Sequence, residues 1–349
     1  MKPLITIGNK VISHDSPTYI VAELSGNHNQ DYNRAVKLIE AAKEAGADAV
    51  KLQTYTADTI TIDSNNDYFK LKGTAWKGRT LYDLYKEAYT PWEWQPKLKI
   101  VAEKLGLDLF SSPFDATSVD FLELMNVSIY KVASSEITDL PLLKKIAQTK
   151  KPVVISTGMA TLGEIDDAVS VFRDAGVTEI ILLKCTVAYP TEHKDMNLLT
   201  IPHLAATFGV ISGLSDHSLS YEPAISSVAL GGRFIEKHLT LSRTDGGPDA
   251  FFSLEPEEFG LMVKAVRRTE EALGHISYGA TDSEKIAREF RRSLFVVEDI
   301  KAGEEITYKN VRSIRPGHGM LPKYLDDIIG NKVRKDLRKG TPLNWTLIE

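Results

Sequence analysis

The stretch GGRFIEKHLTL, residues 231–241, puts Glu236, Lys237 and His238 directly after the apolar pair Phe234-Ile235. The apolar pair reads as a β-strand heading into a core. Three ionisable side chains buried at its end without partners would cost several kcal/mol. Either they have partners, or the strand opens onto a wet site.

Seven more segments follow the same design: TYIVAELSGN (18–27), DAVKLQTY (48–55), LDLFSSPF (107–114), VSIYKVAS (127–134), PVVISTGM (152–159), EIILLKCT (179–186) and VISGLSDH (210–217). Each begins apolar and ends polar, and amphipathic helical patterns lie between them. DYNRAVKLIEAAKEAGAD (31–48) and TLGEIDDAVSVFRDAGV (161–177) are examples, both with a glycine after the helix as a C-cap requires. Eight strands alternating with helices predict a parallel sheet closed into a (β/α)8 TIM barrel. The competing open, doubly wound sheet usually carries a Gly-rich phosphate loop after its first strand, which is missing here. In a barrel the strand C-termini converge on one mouth. Glu23, Asn27, Lys51, Gln53, Ser112, Lys131, Ser134, Ser156, Thr186, Ser215, His217, Glu236 and His238 are therefore expected around one site.

Composition narrows the partners. Net charge is −5 over 349 residues, so no global basic field attracts nucleic acid or an anionic membrane. Any anionic ligand must be held by a local cluster of cations. The single cysteine, Cys185, excludes an internal disulfide and a cysteine-built zinc cage. No apolar run is long enough to span a bilayer, and MKPLITIGNK lacks the core of a signal peptide, so a cytoplasmic protein is expected. The rhythm changes after the linker GHISYGATDSE (274–284), which predicts a barrel over 1–280 and a small β-rich domain over 281–349. The RSIRPGHG stretch of that domain (312–319) presents Arg315 on a Gly-rich loop.

Period-two alternation puts Glu23 and Ser25, Lys51 and Gln53, Ser215 and His217, and Glu236 and His238 on inward faces. Lys237 and Lys184 face outward and are expected to reach solvent past the helices. His217 and His238 end consecutive strands ~4.8 Å apart, close enough to share a divalent ion. Asp216 and Glu236 are expected to orient them. Imidazole and oxygen ligands without thiolate suit Mn2+, Mg2+ or Co2+. Two hydrogen-bonded histidines bracing a helix is the alternative. Lys51 and Lys131, with Ser112, Ser134 and Ser156, can grip a phosphate. They can equally form ion pairs with Glu23 and Glu136, or one lysine can serve as a Schiff-base nucleophile.

Taken in order, AELSGNHNQ, AGADAVKLQTY, SSPFD, YKVASSEI, VVISTGMAT, KCTVAYPT, GLSDHS, IEKHLTL and RPGHG resemble the sialic acid synthase family of nonulosonate synthases along nearly the whole chain. LKGTAWKGRTLYDLYKEAYTPWEW (71–94) and AELSGNH look most like its pseudaminic acid synthase branch, while Val187 stands where relatives commonly have asparagine. The resemblance implies a barrel followed by an antifreeze-like (SAF) domain, in a domain-swapped homodimer. It implies condensation of phosphoenolpyruvate with an open-chain amino-sugar aldose, with C–O cleavage and release of phosphate. By motif, His217 and His238 would ligate the metal, Mn2+ first. Lys51, Ser112, Lys131, Ser134, Ser156 and Ser215 would hold phosphoenolpyruvate. Gln53, Glu136, Tyr189 and Asp249 would contact the sugar, and Arg315 would reach it from the other subunit. Glu23 matches the catalytic carboxylate. For the pseudaminic branch the sugar is 2,4-diacetamido-2,4,6-trideoxy-L-altrose, whose missing 6-hydroxyl asks for apolar cover from Phe114, Phe251 or Trp76. N-acetylneuraminate or legionaminate synthesis is the alternative on the same site.

Overall fold

The computed structural model describes residues 3–72 and 76–349, and the chain divides into two compact units, Met1–Gly274 and His275–Glu349. The division falls at Gly274, slightly before the 280/281 boundary read from the linker.

The first unit opens with a hairpin of β1 (Ile5–Ile7) and β2 (Lys10–Ile12). The barrel follows as β3 (Tyr19–Glu23), β4 (Ala49–Thr54), β5 (Asp108–Pro113), β6 (Tyr130–Val132), β7 (Val153–Ser156), β8 (Ile180–Cys185), β9 (Ile211–Asp216) and β10 (Phe234–His238). Each strand pairs with the next in parallel, and β10 returns to β3 to close the barrel. Helices α1 (Tyr32–Glu44), α2 (Ala57–Ile60), α3 (Leu81–Ala88), α4 (Gln95–Lys104), α5 (Ala116–Leu124), α6 (Leu140–Gln148), α7 (Leu162–Asp174), α8 (Thr200–Phe208), α9 (Glu222–Ala229) and α10 (Pro256–Leu273) cover it. The two helices read most clearly from sequence form for the expected reasons. Asp31 caps α1 by accepting from the N–H groups of Asn33 and Arg34, and Leu38, Ile39 and Ala42 turn inward. Thr161 and Glu164 form a capping box on α7, which buries Ile165, Ala168, Val169 and Phe172. Caps of this kind contribute about 1 kcal/mol each.

Alternation along the strands divides the core into two layers. Ile20, Ala22, Val50, Leu52 and Ile235 point outward and pack with the helices. Tyr19, Val21, Ala49, Phe110, Ile129, Val154, Ile181, Leu183, Ile211 and Phe234 point inward and fill the lower barrel. Ile5, Ile7 and Ile12 of the N-terminal hairpin join this inner layer, so the hairpin plugs the barrel's N-terminal end. Gly213 lies so close to β10 that a Cβ there would sit 2.0 Å from the Phe234 carbonyl oxygen, which only glycine avoids.

Above the apolar layer the inward positions become polar. The connection from β4 to β5 is the longest and carries α2 and α3; it contains the 71–94 insert, of which residues 73–75 lie outside the described residues. The second unit is built on the antiparallel pair β11 (Ser293–Val296) and β12 (Val311–Ile314), over a core that includes Leu294, Val296, Ile306, Val311 and Val333. Arg315 is exposed directly after β12. Among the described residues no helix is long and apolar enough to cross a membrane.

Candidate active site

At the mouth of the barrel, strand register places the charged residues side by side. Glu23 is level with Lys51 across β3–β4 and with His238 across β3–β10, and Glu236 is level with Ser215 across β9–β10. Lys51 Nζ lies 2.6 Å from Glu23 Oε2 and 3.5 Å from Glu236 Oε1, and Lys131 Nζ lies 3.9 Å from that same Oε1. Two lysines thus flank one carboxylate in a buried row. Lys51 also donates to Ser112 Oγ at 3.1 Å, and Lys131 to Ser156 Oγ at 2.7 Å. Removing charges from water costs several kcal/mol per ion, and apolar residues would have filled the space at less expense, so the row is retained for what it binds.

Burial and pairing set the charge state of the row. Burial pushes the Glu236 carboxyl up, but Lys131 and Lys51 outweigh it and hold the group below the usual carboxylate range. For Glu23 burial prevails over the pull of Lys51, and its carboxyl is raised. Burial lowers Lys131 despite Glu236, whereas the two carboxylates keep Lys51 above the ordinary lysine value in spite of burial.

The histidines stand beside this row, with ring centroids 5.3 Å apart. His217 Nδ1 is 2.9 Å from the Thr186 carbonyl oxygen. A carbonyl can only accept, so Nδ1 carries a proton; burial disfavours the charged ring, but Cys185 and the Thr186 carbonyl outweigh it and raise His217 above the usual histidine value. Burial and the neighbouring His217, Lys51, Lys237 and Lys131 push His238 well below the usual histidine range, which keeps it neutral. Its Nδ1 is buried without a hydrogen-bond partner, as is Glu236 Oε2. Two buried imidazoles beside an unpartnered carboxylate oxygen fit a divalent ion of intermediate softness. Among the described residues no group of three or more His, Cys, Asp or Glu side chains forms a metal cage. A two-histidine set leaves coordination positions open for water and substrate, as a catalytic ion requires.

The row and the histidines form the floor of a cavity of about 290 Å3. Lys51, Gln53, Phe114, Lys131, Ser134, Glu136, Ser156, Tyr189, Ser215, His217, His238 and Asp249 all line it. Glu23 and Ser112 are fully buried and are not part of the wall; they lie behind it, holding Lys51. Arg315 belongs to the second unit. Burial pushes the Glu136 carboxyl up to about 7 against the pull of Lys131, and its Oε2 has no partner. Asp249, raised by burial, contacts the Ser25 hydroxyl. Opposite the charged floor stands an aromatic and aliphatic wall. Trp76, whose indole N–H donates to the Pro248 carbonyl at 2.8 Å, packs 5.7 Å from Tyr189, and Phe252 lies 4.9 Å from Tyr189 and 4.8 Å from His238. Leu71, Leu81, Leu84 and Tyr85 complete this side. Phe252, Tyr85 and Cys185 were missed as lining residues. The first follows Phe251 in an aromatic pair of which only Phe251 stood out, and the second repeats the helical spacing of an ordinary core face.

Two expectations are corrected. Lys237 does not reach solvent: it is 1% exposed and its Nζ lies 2.6 Å from Asp216 Oδ2. Asp216 makes no direct hydrogen bond to a histidine, because its carboxylate faces outward to Lys237 and the Ser218 N–H. Lys184, by contrast, lies on the outward face and is half-buried, donating to the Cys185 carbonyl at 2.7 Å.

The chain matches the model of the NeuB family over residues 38–278 and that of the SAF domain over residues 291–349. It is 44% identical over 335 residues to a pseudaminic acid synthase of Helicobacter pylori, a match covering 95% of this chain and 98% of the relative. It is 36% identical over 336 residues to an N,N'-diacetyllegionaminic acid synthase of Legionella pneumophila, covering 95% and 94%. The crystal structure of an N-acetylneuraminic acid synthetase from Leptospira borgpetersenii in complex with citrate superposes with a TM-score of 0.73 at 33% identity, covering 82% of this chain and 95% of that one. With eight strand ends converging on one polar mouth and matches along nearly the full length of its relatives, the chain belongs to the NeuB family, the synthases of the sialic acid synthase type.

Proposed function

We propose that the protein condenses phosphoenolpyruvate with 2,4-diacetamido-2,4,6-trideoxy-L-altrose and water, giving pseudaminic acid and phosphate. The observation that carries this reading is the buried Lys51–Glu236–Lys131 row beside the His217–His238 pair at the floor of one cavity. Phosphoenolpyruvate carries a carboxylate and a phosphate on adjacent positions of one small frame. Lys51 and Lys131 offer a cation to each, and the hydroxyls of Ser134, Ser156 and Ser215 supply further donors. His217 and His238 would hold the divalent ion, Mn2+ first and Mg2+ or Co2+ otherwise, which supplies Lewis acidity toward the sugar aldehyde.

In the reaction C3 of phosphoenolpyruvate forms the new C–C bond to the aldehyde carbon. Water adds at C2, its proton passes to a carboxylate, and the C2–O bond to phosphate breaks. Lys51 and Lys131 stabilise the charge that develops on the carboxylate and phosphate through these steps. Glu23 sits behind Lys51, so its part is to hold that ammonium charged and in place. Glu236 lines the cavity with Oε2 unpartnered, and is the carboxylate we assign to receive the proton of the attacking water. Gln53, Glu136, Tyr189 and Asp249 contact the sugar. Trp76 and Phe252, with Phe114 in the same cavity, cover the methyl group where N-acetylmannosamine would place a hydroxyl. The greater identity to the pseudaminic acid synthase than to the legionaminic acid synthase supports the choice of sugar. The homodimer, with Arg315 supplied by the second subunit, completes the proposal.

The test is phosphate release from phosphoenolpyruvate with Mn2+, with the diacetamido altrose and N-acetylmannosamine in parallel and the product identified by mass. Release with the altrose alone is expected. Release with N-acetylmannosamine alone would move the protein to neuraminate synthesis. Trapping of Lys131 with pyruvate and borohydride would replace the reaction class by a Schiff-base aldolase.

A further inference from the structure

Lys237 and Asp216 occupy outward positions on β10 and β9, where barrel strands pack against helices. They are level in the β9–β10 register. Outward neighbours one repeat below, Ile235 and Leu214, are apolar and buried, and a charged pair at this level is the exception. A methionine–leucine pair of similar volume would fill the space without desolvating two ions.

The contacts of the ammonium explain what the pair does there. Lys237 Nζ donates to Asp216 Oδ2 at 2.6 Å, to the Ser218 carbonyl at 2.5 Å and to the Ser220 carbonyl at 2.9 Å, and it lies 3.1 Å from Ser218 Oγ. Asp216 Oδ1 accepts from the Ser218 N–H at 2.8 Å. Asp216 and Ser218 are the residues on either side of His217, and Lys237 immediately precedes His238. One buried ammonium therefore holds the Asp216 side chain before the first histidine and the Ser218 and Ser220 carbonyls after it, while belonging to the strand end that carries the second. Thr191 N–H donates to the His217 carbonyl at 3.1 Å and closes the remaining freedom of that residue.

We propose that the Lys237–Asp216 pair is a positioning device that sets the separation and aim of the His217 and His238 imidazoles. Neither residue touches substrate or ion. The inference rests on the reading of the two histidines as holders of a divalent ion. Outer partners of metal ligands typically control affinity by 10–100-fold, and the same range is expected here.

The experiment is Mn2+ titration of the substrate-free full-length protein, with free Mn2+ read by electron paramagnetic resonance, together with thermal unfolding. Lys237→Met should weaken Mn2+ binding about 10–100-fold and leave the KM for phosphoenolpyruvate within about twofold, because Lys51 and Lys131 sit on β4 and β6. Arg267→Met serves as the control: it breaks the Arg267–Asp48 and Arg267–Glu270 ion pairs outside the mouth and should lower stability without moving Mn2+ affinity. A Lys237→Met protein that melts lower yet binds Mn2+ as tightly as wild type would overturn the proposal and make the pair merely structural. If Lys237→Met does not fold, Asp216→Asn is read by the same criterion, since it keeps the shape and removes the charge. Mn2+ binding that persists in the H217A/H238A protein would overturn the reading of the histidines themselves, and the inference with it.

Discussion

Replacing Glu136 by glutamine should make the ligand-free protein more stable above pH 7 and leave it unchanged near pH 4. The carboxyl ionises at about 7 in the folded chain against an ordinary value of 4.5, because burial outweighs the pull of Lys131. Below 4.5 the group is protonated in both states and contributes nothing. Between 4.5 and 7 the unfolded chain releases a proton that the folded chain retains, so wild-type stability falls as pH rises and then levels off. At about 1.36 kcal/mol per pH unit that interval corresponds to roughly 3 kcal/mol. Solvent reaching the exposed part of the side chain trims this to about 2–3 kcal/mol. Glutamine has the same shape and no such transition. Urea unfolding of both proteins from pH 4 to 8 should show a gap opening in favour of Glu136→Gln through pH 4.5–7. A gap that stays constant across that range, or that favours wild type at pH 8, would refute the argument. The functional corollary is that Glu136 stays partly protonated at neutral pH, as a donor facing the cavity.

Three further outcomes follow from the geometry. Lys131→Met should lower kcat/KM for phosphoenolpyruvate by about 10²–10³, the usual loss when one preorganised charge-stabilising donor is removed, as measured by steady-state phosphate release. Chelation with EDTA should abolish phosphate release and added Mn2+ restore it, whereas His238→Ala should not be restored at the same Mn2+ concentration. Gly213→Ala, whose Cβ would lie 2.0 Å from the Phe234 carbonyl oxygen, should force β9 and β10 apart at a cost of about 1–3 kcal/mol or more; its melting temperature checks this.

The barrel was legible because its pattern repeats from strand to strand. Alternation in β3, β4, β9 and β10 separates inward from outward residues, and the polar switch recurs at strand after strand. Depth was harder to read than direction. Alternation shows that Lys237 faces outward, but a long flexible side chain at that position ends equally well in solvent or on a neighbouring carboxylate. Only the β9–β10 register, a nonlocal fact, identifies Asp216 as its partner. Glu23 and Ser112 are inward residues whose side chains stop short of the cavity, since Lys51 lies across them; period two carries no information about which of two inward neighbours covers the other. The N-terminal hairpin went unread because Ile5, Ile7 and Ile12 lie on strands of three residues each, too short to establish a period. Of the aromatic wall, Trp76 and Tyr189 are legible in the sequence, whereas Tyr85 follows the spacing of a buried helix face.

The hairpin plug has a bearing on traffic. Ile5, Ile7 and Ile12 close the lower end of the barrel and the apolar layer above them is dry, so the cavity is a cup with a single lip. Everything enters and leaves over the same edge. In the proposed reaction, a molecule seated against Lys51 and Lys131 on the floor would have to arrive before a larger sugar occupied the space above it. Phosphate released at that depth would then have to wait until the lip was clear. Under that reading, the order of arrival and departure would be set in part by a pair of short strands on the far side of the barrel.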